Sequence, residues 1–486
     1  MTEWLASRVV SLATPMIAPG THRLFLPPPW NAGGSRRRRL SPSPQSRPPP
    51  GQALLIQSAL TKHGDRFLSS LATVSGASDS SAVARLIRKF AASSPKSVAL
   101  NALCNLLSPS TTHPHLASLA LPLYRRITDA AWFSYNSKLL ADVVALLYQL
   151  EQFGDAETLI SEAVSKPGIC KRDVCLLYCN LIDSHSKRGL NRGFSESFAR
   201  LQRFASGSCS VYVMRRAYES MIGGLCAMDQ PREAEEMMKE MTSAGLKPSV
   251  FEFRSVVHSY GRSGMFGHMN EIIARMEQEG MAVDTVCCNM ILSSYGSHGD
   301  QTQMLFWLRR MKKLGGSGSP LTVRSYNSVL NSIPAMASML RGPKPFPLSI
   351  AELMETLDGD EALLIRELLS SSVLLTVMEW NSAEMRLDLH GAHLCSAYLI
   401  LLQWMEEARG RFRDGPRAVP AGATVICGAG RHGVVRGKSP VKDLVKEMMA
   451  RTRSPLRIDR KNTGRFIAKG EAMKLWLCCS PATSDA

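Results

Sequence analysis

The sequence predicts a mostly α-helical fold, an α-helical solenoid of helical-hairpin repeats followed by a small α/β sandwich domain. Two observations lead to this prediction. Residues 215–249 and 250–284 are adjoining segments of equal length whose apolar positions superimpose almost residue for residue. Residues 385–477 instead alternate strand-like and helix-like patterns, which is typical of a small α/β unit.

The two matching segments each contain two apolar stripes in which residues recur three and four positions apart. This spacing predicts two amphipathic helices per segment, and a hairpin of this size cannot bury its apolar face alone. Such hairpins must therefore stack on one another. The stripes are Tyr218, Met221, Ile222 and Leu225 with Ala234, Met237, Met238 and Met241 in the first copy, and Phe253, Val256, Val257 and Tyr260 with Met269, Ile272, Ile273 and Met276 in the second.

Similar but less regular units extend the array in both directions. We predict repeats over 140–335, preceded by a diverged helical segment at 83–139. Proline and glycine at 334–347 predict a flexible hinge, and residues 336–384 are expected to form the linker and helices that cap the open end of the stack. The α/β domain follows at 385–477, and residues 478–486 form a tail.

The first 50 residues differ in composition from the rest of the chain. They contain seven arginines and one acid, Glu3, among many serines and prolines. This composition is typical of an organelle transit peptide, and a disordered basic tail is the alternative. We expect a chloroplast location, with the mitochondrion as the alternative, because the leader is rich in serine and proline and has no amphipathic pattern. No segment is long and apolar enough to predict membrane insertion.

Charge and cysteine patterns narrow the kinds of site that the chain can contain. The formal net charge is +17, and residues 385–477 hold 18 basic against 8 acidic residues, while the middle of the chain is nearly neutral. Long-range attraction to phosphate is therefore expected of the C-terminal domain. The 12 cysteines include no Cys-x-x-Cys pair, so neither metal ligands nor a disulfide framework are predicted.

The repeats end in a characteristic way. Gly-Leu-Lys-Pro at 245–248 closes a 35-residue hairpin, and Tyr-Asn at 326–327 opens a later one. These features resemble the pentatricopeptide repeat family of plants, over residues 140–335. In that family each repeat takes one base of single-stranded RNA, read mainly at the fifth and last positions. The resemblance implies nucleic-acid-binding roles for Glu219, Ser249, Arg254, Asp284, Asn289 and Asn327.

Not all of these positions follow the family pattern. Asn289 and Asn327 are usual fifth-position residues, whereas Glu219 and Arg254 are not, and a glycine-rich insertion obscures the last position near Thr322. A protein-binding solenoid is the alternative, because tetratricopeptide hairpins are only one residue shorter and pack in the same way. Lysine and proline at 247–248 favour the RNA-binding class.

The C-terminal domain begins with alternating polar and apolar residues at 384–391, followed by helical spacing over 397–408. A second strand is predicted at 424–427 and a helix at about 440–450. The segments 456–458 and 472–477 close the unit, with a turn at 462–465 before the last strand. Strand ends in such a unit meet at one edge, where open sheets bind ligands. Asp388, His390 and the Gly-Ala-Gly turn at 428–430 are expected there.

Two motifs in this domain resemble those of the small MutS-related (Smr) domain, whose fold is similar to the C-terminal domain of bacterial initiation factor three. Leu-Asp-Leu-His-Gly at 387–391 matches the first in full, and Cys-Gly-Ala-Gly at 427–430 keeps both glycines of the second. The family includes nicking and RNA-cleaving endonucleases, and the resemblance implies Asp388 and His390 as catalytic residues. Residues expected to contact nucleic acid beside them are Gly428, Gly430, Arg431 and His432.

The whole chain therefore resembles plant organellar pentatricopeptide repeat proteins that end in an Smr domain. This predicts an RNA-binding protein that acts in RNA processing, stabilisation or translation. If the domain cleaves RNA, Asp388 would position a divalent cation such as Mg²⁺ or orient His390, which would move a proton to or from a ribose hydroxyl. Otherwise both residues only hold the strand-to-helix corner. A non-catalytic scaffold for ribosome-associated or other RNA-processing proteins is a separate alternative.

Overall fold

The computed structural model describes residues 60–76, 79–108, 114–207, 210–314, 321–371, 373–413, 419–428 and 439–478. The predicted transit peptide and the predicted site residues Gly430, Arg431 and His432 lie outside these residues. Helices stack along most of the described chain, and a five-stranded sheet with its own helices follows them. Among the described helices, none combines the length and the apolarity that a membrane span requires.

The helices nearest the N-terminus form one end of the stack. They are α1 (Lys62–Gly76), α2 (Ser80–Ser93), α3 (Lys96–Leu107) and α4 (Ala120–Thr128), with a 3-10 helix at Pro114–Leu119 before α4. α1 has no counterpart among the predicted helices, since only Phe67, Leu68 and Leu71 mark its apolar buried side. These helices share a hydrophobic core with the first hairpin of the repeat array.

Helical hairpins follow one another from Ser137, as the repeat pattern predicts. Each described hairpin pairs an A helix with a B helix: α5 (Ser137–Gln149) with α6 (Phe153–Val164), α7 (Lys171–Lys187) with α8 (Asn191–Ser206), α9 (Val211–Ala227) with α10 (Pro231–Ser243), α11 (Val250–Arg262) with α12 (Phe266–Gln278), and α13 (Thr285–Ser297) with α14 (Gln301–Leu314). Successive A helices pack against each other, and the shorter α15 (Val323–Leu330) continues their row before α16 (Pro334–Arg341).

The N-caps of the A helices fix the phase of the repeats. Side-chain oxygens of Ser249, Asp284 and Thr322 accept backbone N–H groups at the starts of α11, α13 and α15. The last position of a repeat is therefore the N-cap of the next A helix, and this identifies Thr322 despite the insertion before it. α9 begins at Val211, one turn before the predicted repeat start at 215, because Ser210 caps it instead.

Successive A helices approach one another so closely that glycine is required at the contact. Gly261 in α11 and Gly296 in α13 lie at equivalent positions of their repeats. A Cβ on Gly261 would lie 2.2 Å from Ser294 Oγ, and a Cβ on Gly296 would lie 2.1 Å from Ser332 Oγ. A Cβ at Gly261 would force Ser294 of α13 to move, and a Cβ at Gly296 would force Ser332, just after α15, to move.

The C-terminal unit alternates strands and helices. Its strands are β1 (Met378–Trp380), β2 (Glu384–Asp388), β3 (Gly422–Ile426), β4 (Arg457–Ile458) and β5 (Arg465–Lys469), and its helices are α20 (Leu394–Arg413), α21 (Pro440–Arg451) and α22 (Gly470–Cys478). The sheet order is β1-β2-β3-β5-β4, with β2 and β3 parallel and the other pairs antiparallel. Placing the last strand at 472–477 is wrong, because this segment lies in α22. Met473 and Leu477 of this helix are both buried, and their separation of four residues puts them on one helical face.

The flexible hinge expected at 334–347 is also wrong. Residues 334–341 form α16, and Phe346 is buried with its ring 5.6 Å from that of Tyr398 in α20. The Tyr398 hydroxyl donates to the carbonyl oxygen of Pro347 at 2.8 Å. One hydrophobic cluster extends from Cys175 to Leu477, so the repeats and the C-terminal unit share a core.

Three short helices join the repeats to the sheet. They are α17 (Ile350–Glu355), α18 (Gly359–Leu369) and α19 (Leu374–Val377). α18 packs against the B helix α14, where Glu367 forms ion pairs with Arg309 at 2.7 Å and Lys312 at 2.9 Å. α18 therefore lies beside the last B helix, α14, where a helix capping the row of B helices is expected.

The close contact between A helices generates a prediction. We expect Gly261→Ala and Gly296→Ala each to lower the free energy of unfolding by about 1–3 kcal/mol, because overpacking displaces neighbouring atoms. Gly223→Ala in α9 is the matched control, since a Cβ added there would meet no neighbouring atom within 4 Å. Alanine has a higher helix propensity than glycine, so Gly223→Ala should leave the free energy of unfolding unchanged or raise it by up to about 1 kcal/mol. Urea denaturation followed by circular dichroism measures all three, and equal effects would contradict the packing argument.

Candidate catalytic site and nucleic-acid interface

The parallel pairing of β2 and β3 brings the two predicted motifs together. Asp388 pairs with Ile426 at the carboxyl ends of the strands, and the N–H of Leu389 donates to the carbonyl oxygen of Ile426 at 2.9 Å. His390 and Gly428 therefore lie side by side, and a Cβ on Gly428 would be 3.4 Å from His390 Nε2. Gly428 has φ +76°, a left-handed conformation that favours glycine.

Asp388 orients the ring of His390. His390 Nδ1 lies 2.7 Å from Asp388 Oδ1, and the backbone N–H of His390 donates to the same oxygen at 3.0 Å. The other carboxylate oxygen accepts from Arg386 Nη2 at 3.4 Å. The His390 side chain is 62% exposed, and its Nε2 has no hydrogen-bond partner among the described residues. An imidazole held by a carboxylate at Nδ1 and open at Nε2 is arranged to exchange a proton with a ligand.

Cys427 takes the place of the polar residue that usually opens the second motif. Burial raises the pKa of its thiol to about 12, so the thiol stays protonated at neutral pH and is a poor nucleophile. Its backbone has a structural role instead, since the Cys427 N–H donates to the carbonyl oxygen of Gly464 at 2.9 Å. This bond attaches the predicted turn at 462–465 to the end of β3.

No three His, Cys, Asp or Glu side chains converge as a metal-binding group within the described residues. Magnesium is commonly held by one or two carboxylates together with substrate phosphates and water. Asp388 is the carboxylate available for such a contact at this edge, but both its oxygens already have protein partners. The geometry therefore fits the role of orienting His390 better than the role of metal ligand.

The register of the sheet adds basic side chains that the motifs do not include. Arg465 pairs with Ile426, which pairs with Asp388, so the three form one row across the sheet. Residues in one row project from the same face. Arg457 and Lys469 belong to further rows of this face, and all three cations are exposed. The sequence did not identify them, because register between strands distant in the chain cannot be inferred from spacing.

Most of the predicted base-reading side chains have protein partners. Arg254 and Asp284, the two reading positions of one repeat, form an ion pair with each other. Glu219 pairs with Arg216 at 3.2 Å, and the hydroxyl of the N-cap Ser249 donates to Glu252 at 2.6 Å. A base could contact these groups only by competing with the partners they already have.

The two asparagines at fifth positions differ from each other. Asn289 is half-buried, and its side-chain oxygen is itself buried with no hydrogen-bond partner within the described part of the chain. Asn327 is 9% exposed, and both ends of its amide are engaged by the C-terminal unit. In this structure Asn327 therefore does not present its amide to a base, in contrast to the predicted role.

The structure reveals exposed side chains at the starts of A helices that the repeat pattern did not mark. The second residues of α7, α9 and α11 are Arg172, Tyr212 and Phe251. Tyr212 is 53% exposed and Phe251 is 49% exposed, and the guanidinium of Arg172 lies 4.8 Å from the centre of the Tyr212 ring. Aromatic rings and arginines exposed at helix starts can stack with bases. The available signal was an aromatic residue just after the helix start, outside the apolar stripe.

Comparison with known proteins agrees with this architecture. The PPR repeat model matches residues 216–246, and the pentatricopeptide repeat domain model matches residues 236–298. The Arabidopsis thaliana pentatricopeptide repeat-containing protein At2g17033 is 53% identical over 419 residues, which span 86% of this chain and 82% of that protein. The chain belongs to the pentatricopeptide repeat family.

Other pentatricopeptide repeat proteins are more distant. The Arabidopsis thaliana small ribosomal subunit protein mL103 (rPPR7) is 21% identical over 284 residues, 57% of this chain and 64% of that protein. The pentatricopeptide repeat protein PPR10 is known from maize, and its structure in complex with an 18-nt psaJ RNA element is 14% identical with a TM-score of 0.33. That match covers 71% of this chain, which spans about half of PPR10, 52% of its length.

Proposed function

We propose that this pentatricopeptide repeat protein binds single-stranded RNA along the starts of its A helices. Family membership supports the proposal, and so do Arg172, Tyr212 and Phe251, which are exposed at A-helix starts. The exposed cations Arg457, Arg465 and Lys469 of the C-terminal sheet would contact the phosphate backbone, on a face that also carries Glu379 and Glu384. Most predicted fifth-position residues have protein partners, so stacking and phosphate contacts are expected to supply more affinity than base-edge hydrogen bonds.

We assign the C-terminal unit to the Smr domain family and propose that it cleaves RNA. The observation that carries this proposal is the hydrogen bond of 2.7 Å between Asp388 and His390, made where both motifs meet at the ends of β2 and β3. Two motifs far apart in the sequence converge on one solvent-exposed imidazole. A residue pair that only stabilised the corner would not need an open Nε2.

The proposed reaction is a transesterification within the RNA. His390 Nε2 takes the proton of a ribose 2′-hydroxyl, the 2′-oxygen attacks the adjacent phosphorus, and the bond from phosphorus to the 5′-oxygen breaks. The departing oxygen takes a proton from water, and the products are a 2′,3′-cyclic phosphate and a 5′-hydroxyl end. Asp388 holds the reactive tautomer of His390, and the backbone at Gly428 allows a phosphate to approach closely.

We place this activity in the chloroplast, on the composition of the leader, with roles in RNA processing, stabilisation or translation. A non-catalytic scaffold in a ribosome-associated assembly is the second candidate. The observation that favours it is the similarity to mL103, which is named as a small ribosomal subunit protein. The two candidates differ in whether new RNA ends form beside the bound sites.

Cleavage is tested with RNA enriched by the protein from a random single-stranded pool. We expect Asp388→Asn and His390→Gln to reduce kcat by about 100-fold or more, because general acid–base groups contribute about 10²–10⁴ in rate, while RNA affinity is retained. Glu379→Gln is the control, since Glu379 also pairs with Arg386 but makes no hydrogen bond to His390. Sequencing that requires prior phosphorylation of 5′ ends identifies 5′-hydroxyl products. Wild-type protein that binds RNA without producing ends would support the scaffold.

Stacking is tested by removing the exposed rings. We expect Tyr212→Ala and Phe251→Ala each to weaken RNA binding about 5- to 100-fold, since a base stacked on an aromatic ring contributes about 1–3 kcal/mol. Phe306→Ala is the matched control, because Phe306 is 55% exposed but lies on the B helix α14. Fluorescence anisotropy with the enriched RNA measures the affinities. An equal loss in the control would argue against a path along the A-helix starts.

A further inference from the structure

The last A helix holds the loop that follows His390. Asn327 Nδ2 donates to the carbonyl oxygen of Gly391 at 2.8 Å, and Asn327 Oδ1 accepts the backbone N–H of His393 at 2.9 Å. One amide thus satisfies a donor and an acceptor on either side of Ala392. Asn327 is buried and the contact is partly buried, so removing the amide would leave two backbone groups of the loop without these partners.

Neighbouring side chains on α15 strengthen the same contact. The amide of Asn331 lies 2.8 Å from His393 Nδ1. The hydroxyl oxygen of Tyr326 lies within hydrogen-bond distance of the carbonyl oxygen of Leu368, at 2.8 Å, and of Gln403 Oε1 in α20, at 3.0 Å. We call Tyr326, Asn327 and Asn331 the α15 clasp. It joins the repeat array to the C-terminal unit beside the proposed catalytic site.

The loop held by the clasp is directly connected to the imidazole. Gly391 is the next residue after His390 and has φ +78°, so the chain turns sharply there. The His390 ring is mostly exposed and is not fixed by surrounding packing. Its position therefore depends on the Asp388 hydrogen bond and on the course of the backbone from 390 to 393. A displacement of this backbone would move the ring away from Gly428.

We propose that Asn327 is a positioning residue for the Asp388–His390 site, and that the last repeat is committed to this contact instead of to a base. The positioning role rests on the proposed function of that site, whereas the commitment of the last repeat can be tested without it. Asn289 supplies the comparison within the chain. It occupies the same position one repeat earlier, and the oxygen of its amide is buried without a partner among the described residues.

Hydrogen–deuterium exchange of the full-length wild-type protein tests directly whether Asn327 stays bound to the loop after His390 when RNA is present. The probe is the enriched RNA, and the readout is the His393 amide within a peptide covering residues 389–394. If Asn327 stays in the clasp, saturating RNA leaves the exchange rate of this amide unchanged or slower. If Asn327 leaves the loop to contact a base, RNA makes this amide exchange faster, and the proposal is overturned.

Variants separate positioning from base reading. We expect Asn327→Ser to speed exchange of the His393 amide about tenfold, because it shortens the side chain that bonds this group. It should also lower kcat about tenfold with KM unchanged. Asn289→Ser should leave this amide and kcat unchanged and weaken RNA binding or its base preference instead. The proposal would be overturned if Asn289→Ser changed the His393 amide and kcat while Asn327→Ser changed only RNA binding.

Two further results distinguish a failure of the clasp from a folding defect and from a failure of the proposed catalysis. If Asn327→Ser loses its helical circular dichroism, Asn331→Ala replaces it, because Asn331 touches the His393 side chain from outside the predicted reading positions. Asn331→Ala with wild-type exchange and wild-type kcat would then contradict the clasp. If the wild-type protein cleaves no RNA, the proposed catalysis fails while exchange in the presence of RNA still decides whether Asn327 is committed.

Discussion

The close stacking of A helices is the constraint on which the rest of the structure depends. A helical hairpin cannot bury its apolar face alone, and the contacts of Gly261 with Ser294 and of Gly296 with Ser332 show how tightly successive hairpins meet. This spacing aligns the starts of the A helices along one edge. The rings of Tyr212 and Phe251 are exposed at the starts of two successive A helices, α9 and α11.

The sequence predicted those features that follow from local spacing. Apolar residues three and four apart located both helices of residues 215–249 and 250–284, and the family resemblance over this region agrees with the relationship to At2g17033. Local spacing was misleading where a segment fits two periods or where long-range burial decides. Residues 472–477 were expected to close the unit as its last strand, yet Met473 and Leu477 pack as one face of a helix. Proline and glycine suggested a hinge at 334–347, but Phe346 is anchored against Tyr398.

The sequence predicted that Asp388, His390 and Gly428 would meet at one edge of the sheet, but it did not predict the geometry of that edge. The first motif identifies Asp388 and His390 because both side chains suit proton transfer and lie at a strand end. Their proximity to Gly428 depends on the parallel register of β2 and β3, and Arg465 enters the same row only through β5. The repeat pattern predicted that Asn327 contacts an RNA base, because contacts between distant parts of the chain cannot be inferred from spacing. Its partners in the loop after His390 are more than sixty positions away in the chain.

The hydrophobic core that extends from Cys175 to Leu477 fixes the position of the C-terminal unit on the repeat array. Because the C-terminal unit is packed on the last A helices, the distance from the row of helix starts to His390 is set by the protein and not by the length of a linker. Under the proposed function, an RNA bound along the A-helix starts would reach the imidazole after a constant number of nucleotides. A different target sequence would then shift the proposed point of action along the transcript while preserving its offset from the bound segment.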